Sequence, residues 1–250
     1  MHQSIRAFVL ACAASVLFAG PAAAETLKVG ATSTGVPFTF LDIQSQRIQG
    51  MMVDTVEAVG KAAGFDTQIQ QTNFAALIPS LTSGKIDLIS AAMLKTPPRE
   101  KVVQFSDPVF SYGEGLVVRA DDSGAYTRMD DFKGEVVGAQ VGTVFLDELN
   151  KRGIFKEVRG YDSINDLLRD LALGRIKAAF ADQPVLAYQL ARGGQSKVRL
   201  VRDYQPVIHG DVSLVLRKDD PALLQRVNQG IASIRADGTL QRIRAKWNLD

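Results

Sequence analysis

Two distant stretches of this chain share one pattern. ALIPSLTSGKIDLISAA (76–92) and DLLRDLALGRIKAAFAD (166–182) each run an amphipathic helix into glycine, a basic residue, isoleucine and a buried strand. Gly84 and Gly174 fall just past a helix C-terminus. The left-handed backbone that reverses a chain there is costly for any residue carrying a Cβ. The pattern occurs once in each half, so the sequence predicts two similar α/β lobes.

Short apolar runs alternate with helical segments elsewhere, as mainly parallel sheets require. TLKVGAT (26–32), FDTQIQQ (65–71), EVVGAQ (135–140), FKEVRGY (155–161) and KVRLV (197–201) read as further strands. Val53, Val56, Val59 and Ala63 form one stripe of a helix over 52–64 that ends at Gly64, a natural cap. Helices are also expected over 143–152, 163–173 and 184–192, with a pair over 221–247 broken near Asp237-Gly238.

Ligands of open α/β sheets bind outside the carboxyl ends of the strands. In the first copy of the pattern that end leads through SAAMLKTPPR (90–99) to Arg99, and in the second it ends on Asp182. Two consecutive prolines cannot continue a strand, so the chain must turn at Pro97-Pro98 and deliver the arginine to a fixed place. A cation on one wall and an anion on the facing wall suit a small zwitterion. Spacing alone leaves two alternatives open: Arg99 pairing with a surface carboxylate, and Asp182 simply starting the following turn. A second strand-to-helix junction, AQVGTVFLDEL (139–149), places Gly142 and the N-cap Thr143 at a helix start whose free N–H groups favour an anion. On its own that junction reads as an ordinary capped helix.

A formal charge of +2 with scattered basic residues gives no footprint for a nucleic-acid partner. His2 and Arg6, the apolar run AFVLACAASVLFAG and the ending PAAA form a secretory signal peptide over 1–24, cleaved after Ala24. The mature chain then lacks cysteine, since Cys12 is the only one, and the bacterial periplasm is the expected compartment. Only His209 remains outside the leader, so no metal site and no cofactor are expected. The carboxylate pairs Asp121-Asp122, Asp130-Asp131 and Asp219-Asp220 sit beside turn or helix-start residues and read as caps.

The chain resembles the extracellular solute-binding proteins of polar amino-acid ABC transporters, bacterial solute-binding family 3. The likeness covers nearly all of 25–250 and is strongest over ALIPSLTSGKIDLISAAMLKTPPREKVVQFSDP (76–108), GEGLVVR (113–119) and VSLVLRKDDPALLQRVNQGIASIRADGTLQRIRAKW (212–247). It implies a two-lobed type II periplasmic binding protein fold, α/β with two mainly parallel sheets joined by two hinge strands. Lobe 1 is then 25–112 plus 212–250, lobe 2 is 119–205, and the hinge segments are 113–118 and 206–211. The implied protein is a monomer that captures an amino acid or related small carboxylate by clamshell closure and delivers it to a permease in the inner membrane. It is not an enzyme and uses no cofactor.

The resemblance also assigns residues. Arg99 matches the arginine that grips the α-carboxylate, Ala92 and Leu94 match backbone donors to it, and Thr143 with Val144 match the opposite-lobe loop. Asp182 matches the acid that takes the α-ammonium, and Phe74 matches a wall beside the ligand side chain. Four positions depart from the family pattern: Gly35 replaces a common aromatic shelf, Met52 a common acid, Leu94 a hydroxyl residue and Val144 a threonine. Those losses suggest a wider, more apolar pocket than one built for basic amino acids. The alternative on the same fold is an enzyme similar to cyclohexadienyl or arogenate dehydratases, with Glu114 and Asp182 as candidate acids.

Overall fold

A computed structural model of the protein describes residues 24–191 and 197–249. The expected leader over 1–24 therefore lies outside the described residues, apart from Ala24. Two five-strand sheet paths organise the rest. The first runs Phe65–Gln71, Glu25–Ala31, Leu88–Ile89, Val215–Arg217, Val103–Phe105. The second runs Glu157–Tyr161, Val136–Gln140, Ala178–Asp182, Phe110–Arg119, Val198–Leu200.

Both sheets obey one plan. Three parallel strands in the order second, first, third are followed by an antiparallel strand arriving from the other half of the chain. A last strand then pairs with that arrival. The repeated motif supplies the third strand each time, and its turn is built identically. Gly84 (φ 73) donates to Leu81 O at 3.1 Å, and Gly174 (φ 71) donates to Leu171 O at 2.9 Å. The next N–H groups close the same longer turn, Lys85 to Ser80 O and Arg175 to Asp170 O, each at 2.9 Å. Two residues further on, Asp87 and Lys177 donate to the first strands, at Lys28 O and Val136 O.

Alternation along the strands puts helices on both faces. Leu88 turns to a core with Val29, Met52, Val56 and Val59, under the helix Met51–Ala63 that Gly64 caps at φ 77. Its neighbour Ile89 turns to a separate core with Leu77, Leu81 and Ile86, under the helix Leu77–Thr82. The C-terminal pair is Pro221–Ala236 and Thr239–Lys246. Asp220 caps the first of these by accepting from Leu223 N at 2.9 Å, and Asp131 likewise accepts from Thr127 and Arg128 N–H groups.

Two features were not anticipated. Thr34–Gly35, Thr39–Asp42 and Arg47–Gln49 form a small three-stranded sheet. These strands are too short for alternation to be read. Pro97 and Pro98 do more than turn the chain: they open a one-turn helix, Pro97–Glu100, at positions whose N–H groups would have no helical partner anyway.

The chain crosses between the sheets twice. Phe110–Gly113 and His209–Val212 run antiparallel to one another as the two crossings. The strand then continues, so that 114–119 pairs with 179–182 and 198–200 inside the second sheet.

Candidate functional site

The carboxyl ends of the third strands face each other where the crossings meet. Arg99, in the turn of helix that Thr96 and the prolines begin, folds its guanidinium back so that Nη1 donates to Leu94 O at 2.6 Å. Its Nη2 donates to Gly142 O of the second lobe at 2.9 Å. Phe74 lies beside it, with the guanidinium carbon 5.7 Å from the ring centroid, in the range of a cation–π contact. Asp182 ends its strand half-buried and within electrostatic reach of Arg99. Burial pushes its carboxyl up to about 6, against the pull of the Tyr112 hydroxyl and Arg99. Burial lowers Arg99 in turn, opposed by Tyr112, Asp147 and Asp182.

Tyr112 is the residue that sequence reasoning missed. It lies on the first crossing, buried, stacked on Phe38 at 5.5 Å, and donates its hydroxyl to Ala92 O at 2.9 Å. Burial and the Asp182 charge hold that phenol well above its ordinary range, so it stays a neutral donor. One signal was available: an aromatic immediately before Gly113, which opens the hinge motif, falls on the same strand face as Phe110. Ala92 meets this hydroxyl in a left-handed conformation, φ 52, an uncommon backbone for a residue with a Cβ.

The remaining expected residues divide. Thr143 is buried and its side chain is spent on the fold, donating to Gln140 O at 2.6 Å and capping Leu146 N. Val144 opens the helix Val144–Arg152 and packs against the core. Leu94 is 3% exposed, and its side chain lies against Gly210 on the second crossing. Its apolar character therefore fits hinge packing and says nothing of an apolar ligand. Gly35 sits on the small sheet above the hydroxyl pair Thr32–Thr39, and its strand approaches the helix Ile164–Ala172 of the other lobe. Met52 is fully buried, while Asp54 accepts from Lys246 Nζ and Trp247 Nε1 at 2.7 Å each, tying the first helix to the last.

Glu114 is 0% exposed, and its carboxyl serves the return segment rather than the cleft. Oε1 accepts from Tyr204 Oη at 2.6 Å and Val207 N at 2.8 Å, while Oε2 is buried without a partner among the described residues. Burial raises this group above the ordinary glutamate value of 4.5. A raised folded-state value means that stability is fullest below the unfolded value and declines as pH rises through the folded one. Glu114→Gln keeps an acceptor for both donors and removes that decline. The melting-temperature difference, variant minus wild type, is expected to grow more positive from pH 4 to pH 8. An unchanged difference counts against a raised Glu114.

With this geometry in place, comparison with known proteins is informative. Residues 27–250 match the family described as bacterial extracellular solute-binding proteins, family 3. The chain belongs to that family. It is similar to ABC transporter arginine-binding protein 1 of Escherichia coli (strain K12), 29% identical over 244 residues, covering 97% of this chain and 99% of that protein. Among solved structures it resembles a mutant of ArgBP from T. maritima, with TM-score 0.82 and 30% identity over 90% of this chain and 96% of that one. It also resembles AncCDT-1, an ancestral amino acid-binding protein described as a precursor of cyclohexadienyl dehydratase, with TM-score 0.79 and 29% identity over 89% and 95%. The two-lobed periplasmic binding protein fold is thereby established.

Proposed function

We propose that this protein is the solute-binding component of an ABC importer, taking an α-amino acid between its lobes and presenting it to a membrane permease. One observation carries the reading: Arg99, in the turn of helix beyond the third strand of the first lobe, and Asp182, at the end of the third strand of the second, lie within electrostatic reach of each other. The guanidinium fork suits a carboxylate, and the aspartate suits an ammonium. Ala92, Leu94, Thr143 and Val144 supply backbone around the carboxylate, and Phe74 flanks the side chain. Closure removes water from both ion pairs, which strengthens them. It pivots where the chain crosses between the sheets, at 110–113 and 209–212, which overlap the ends of the expected hinge segments 113–118 and 206–211 between a lobe of 25–112 plus 212–250 and a lobe of 119–205. The names of relatives that bind arginine support the same ligand class.

The protein works in the periplasm as a monomer and performs no chemistry on its ligand. Glu114, one candidate acid for a dehydratase, is engaged by Tyr204 and Val207. The test is thermal denaturation of solute-stripped protein with a panel of amino acids, because a ligand that binds only the native state raises the melting temperature. At least one free amino acid is expected to raise it, while its carboxamide and its N-acetyl derivative do not. A panel without any shift overturns the reading, as does ring aromatisation of added prephenate or arogenate.

A further inference from the structure

Among the described residues, two of the contacts between the lobes are related by their common plan. Gly142 follows the first strand of the second sheet and lies against Ala75, just beyond the second strand of the first sheet. Thr34–Gly35 follows the first strand of the first sheet and approaches Ile164–Ala172, just beyond the second strand of the second. Each lobe thus presents a loop containing glycine to the equivalent helix region of the other.

The Gly142 contact is tight. A Cβ built on Gly142 comes within 2.8 Å of Ala75 Cα and 3.3 Å of Ala75 N, distances that backbone atoms cannot accommodate without separating. Gly142 also holds φ at 81, which favours glycine on independent grounds. Its carbonyl takes the Arg99 Nη2 hydrogen bond at 2.9 Å across the same junction.

We infer that Gly142 and Ala75 set the closure equilibrium of this protein, with Arg99 latching the two lobes together through the Gly142 carbonyl before any solute is present. The guanidinium closes the empty protein with one N–H group and keeps others for a ligand. Solute entry then requires this latch to open, and the closed fraction of the empty protein scales the apparent affinity for whatever the cleft takes. The inference rests on contacts between the lobes and stands whichever solute is bound.

Small-angle X-ray scattering of the empty protein tests it. The protein is unfolded in guanidinium chloride, dialysed and refolded to strip solute. The wild type is expected to show the radius of gyration calculated from the closed structure. Gly142→Ala is expected to increase it, with unchanged far-ultraviolet circular dichroism. Because that variant also strains its own backbone, Ala75→Leu enlarges the contact from the exposed opposite side and is expected to act in the same direction. A wild type already as extended as the variants overturns the inference. So does a pair of folded variants that keep the wild-type radius.

Discussion

Arg99→Ala is expected to weaken amino-acid binding between about 100- and 5,000-fold while leaving the fold intact. The estimate follows from the loss of one partner in a desolvated ion pair, which costs about 3–5 kcal/mol because the other charge stays buried. Much of the Arg99 environment is fixed by the backbone, through Leu94 O and Gly142 O, so the guanidinium is oriented before a ligand arrives. Pre-orientation of this kind reduces the entropy lost on binding. Arg99→Lys keeps the charge but loses the planar fork, and is expected to fall between wild type and alanine. Isothermal titration with the best ligand of the panel measures all three. Wild-type affinity in the alanine variant removes Arg99 from the site.

The second large effect is on pH dependence. Burial pushes the Asp182 carboxyl up to about 6, and only its ionised form pairs with an ammonium. Binding must therefore expel a proton below that value. Affinity is expected to be flat above pH 7 and to drop about tenfold per unit below pH 6, down to the lower pKa that the bound state imposes. Asp182→Asn is expected to abolish this slope and to cost about 3 kcal/mol at pH 7.5, on the order of 100-fold. The sign is opposite to that at Glu114, where lower pH favours the folded wild type. The two carboxyls are strand partners, Asp182 beside Glu114, yet one lies near Arg99 and Tyr112 while the other is held by Tyr204 and Val207. A wild-type affinity that stays constant from pH 5 to pH 8 contradicts the assignment of Asp182.

The two charged residues of the proposed site were legible in the sequence because a repeat and its punctuation marked them. Gly84 and Gly174 fixed where two equivalent strands begin, and Arg99 and Asp182 stand at defined distances beyond. Thr143 read as a cap and is one. Side-chain direction was less legible. Leu94 suggested an apolar pocket, but its side chain turns to Gly210, because an isolated bridge to Val212 fixes the strand face there. Tyr112 escaped notice because its partners are remote: Ala92 O lies twenty positions away in sequence and Asp182 belongs to another strand. The small sheet over 34–49 depends on strands of two to four residues, in which no period can be recognised.

The exchange of strands between the two halves has a consequence for the order of folding. Every strand of the second sheet path lies between residues 110 and 200, so the chain for it is complete once that stretch is available. The first sheet waits longer. Val215–Arg217 is an inner strand, and without it Val103–Phe105 has no neighbour in the ladder. As the chain emerges from its N-terminus, the half that begins first is thus the half that finishes last. Loop closure over so long a separation is slow, because its entropy must be lost before the contacts form. The early segments therefore stay in an unfinished, open state until the last quarter of the protein arrives to lock them.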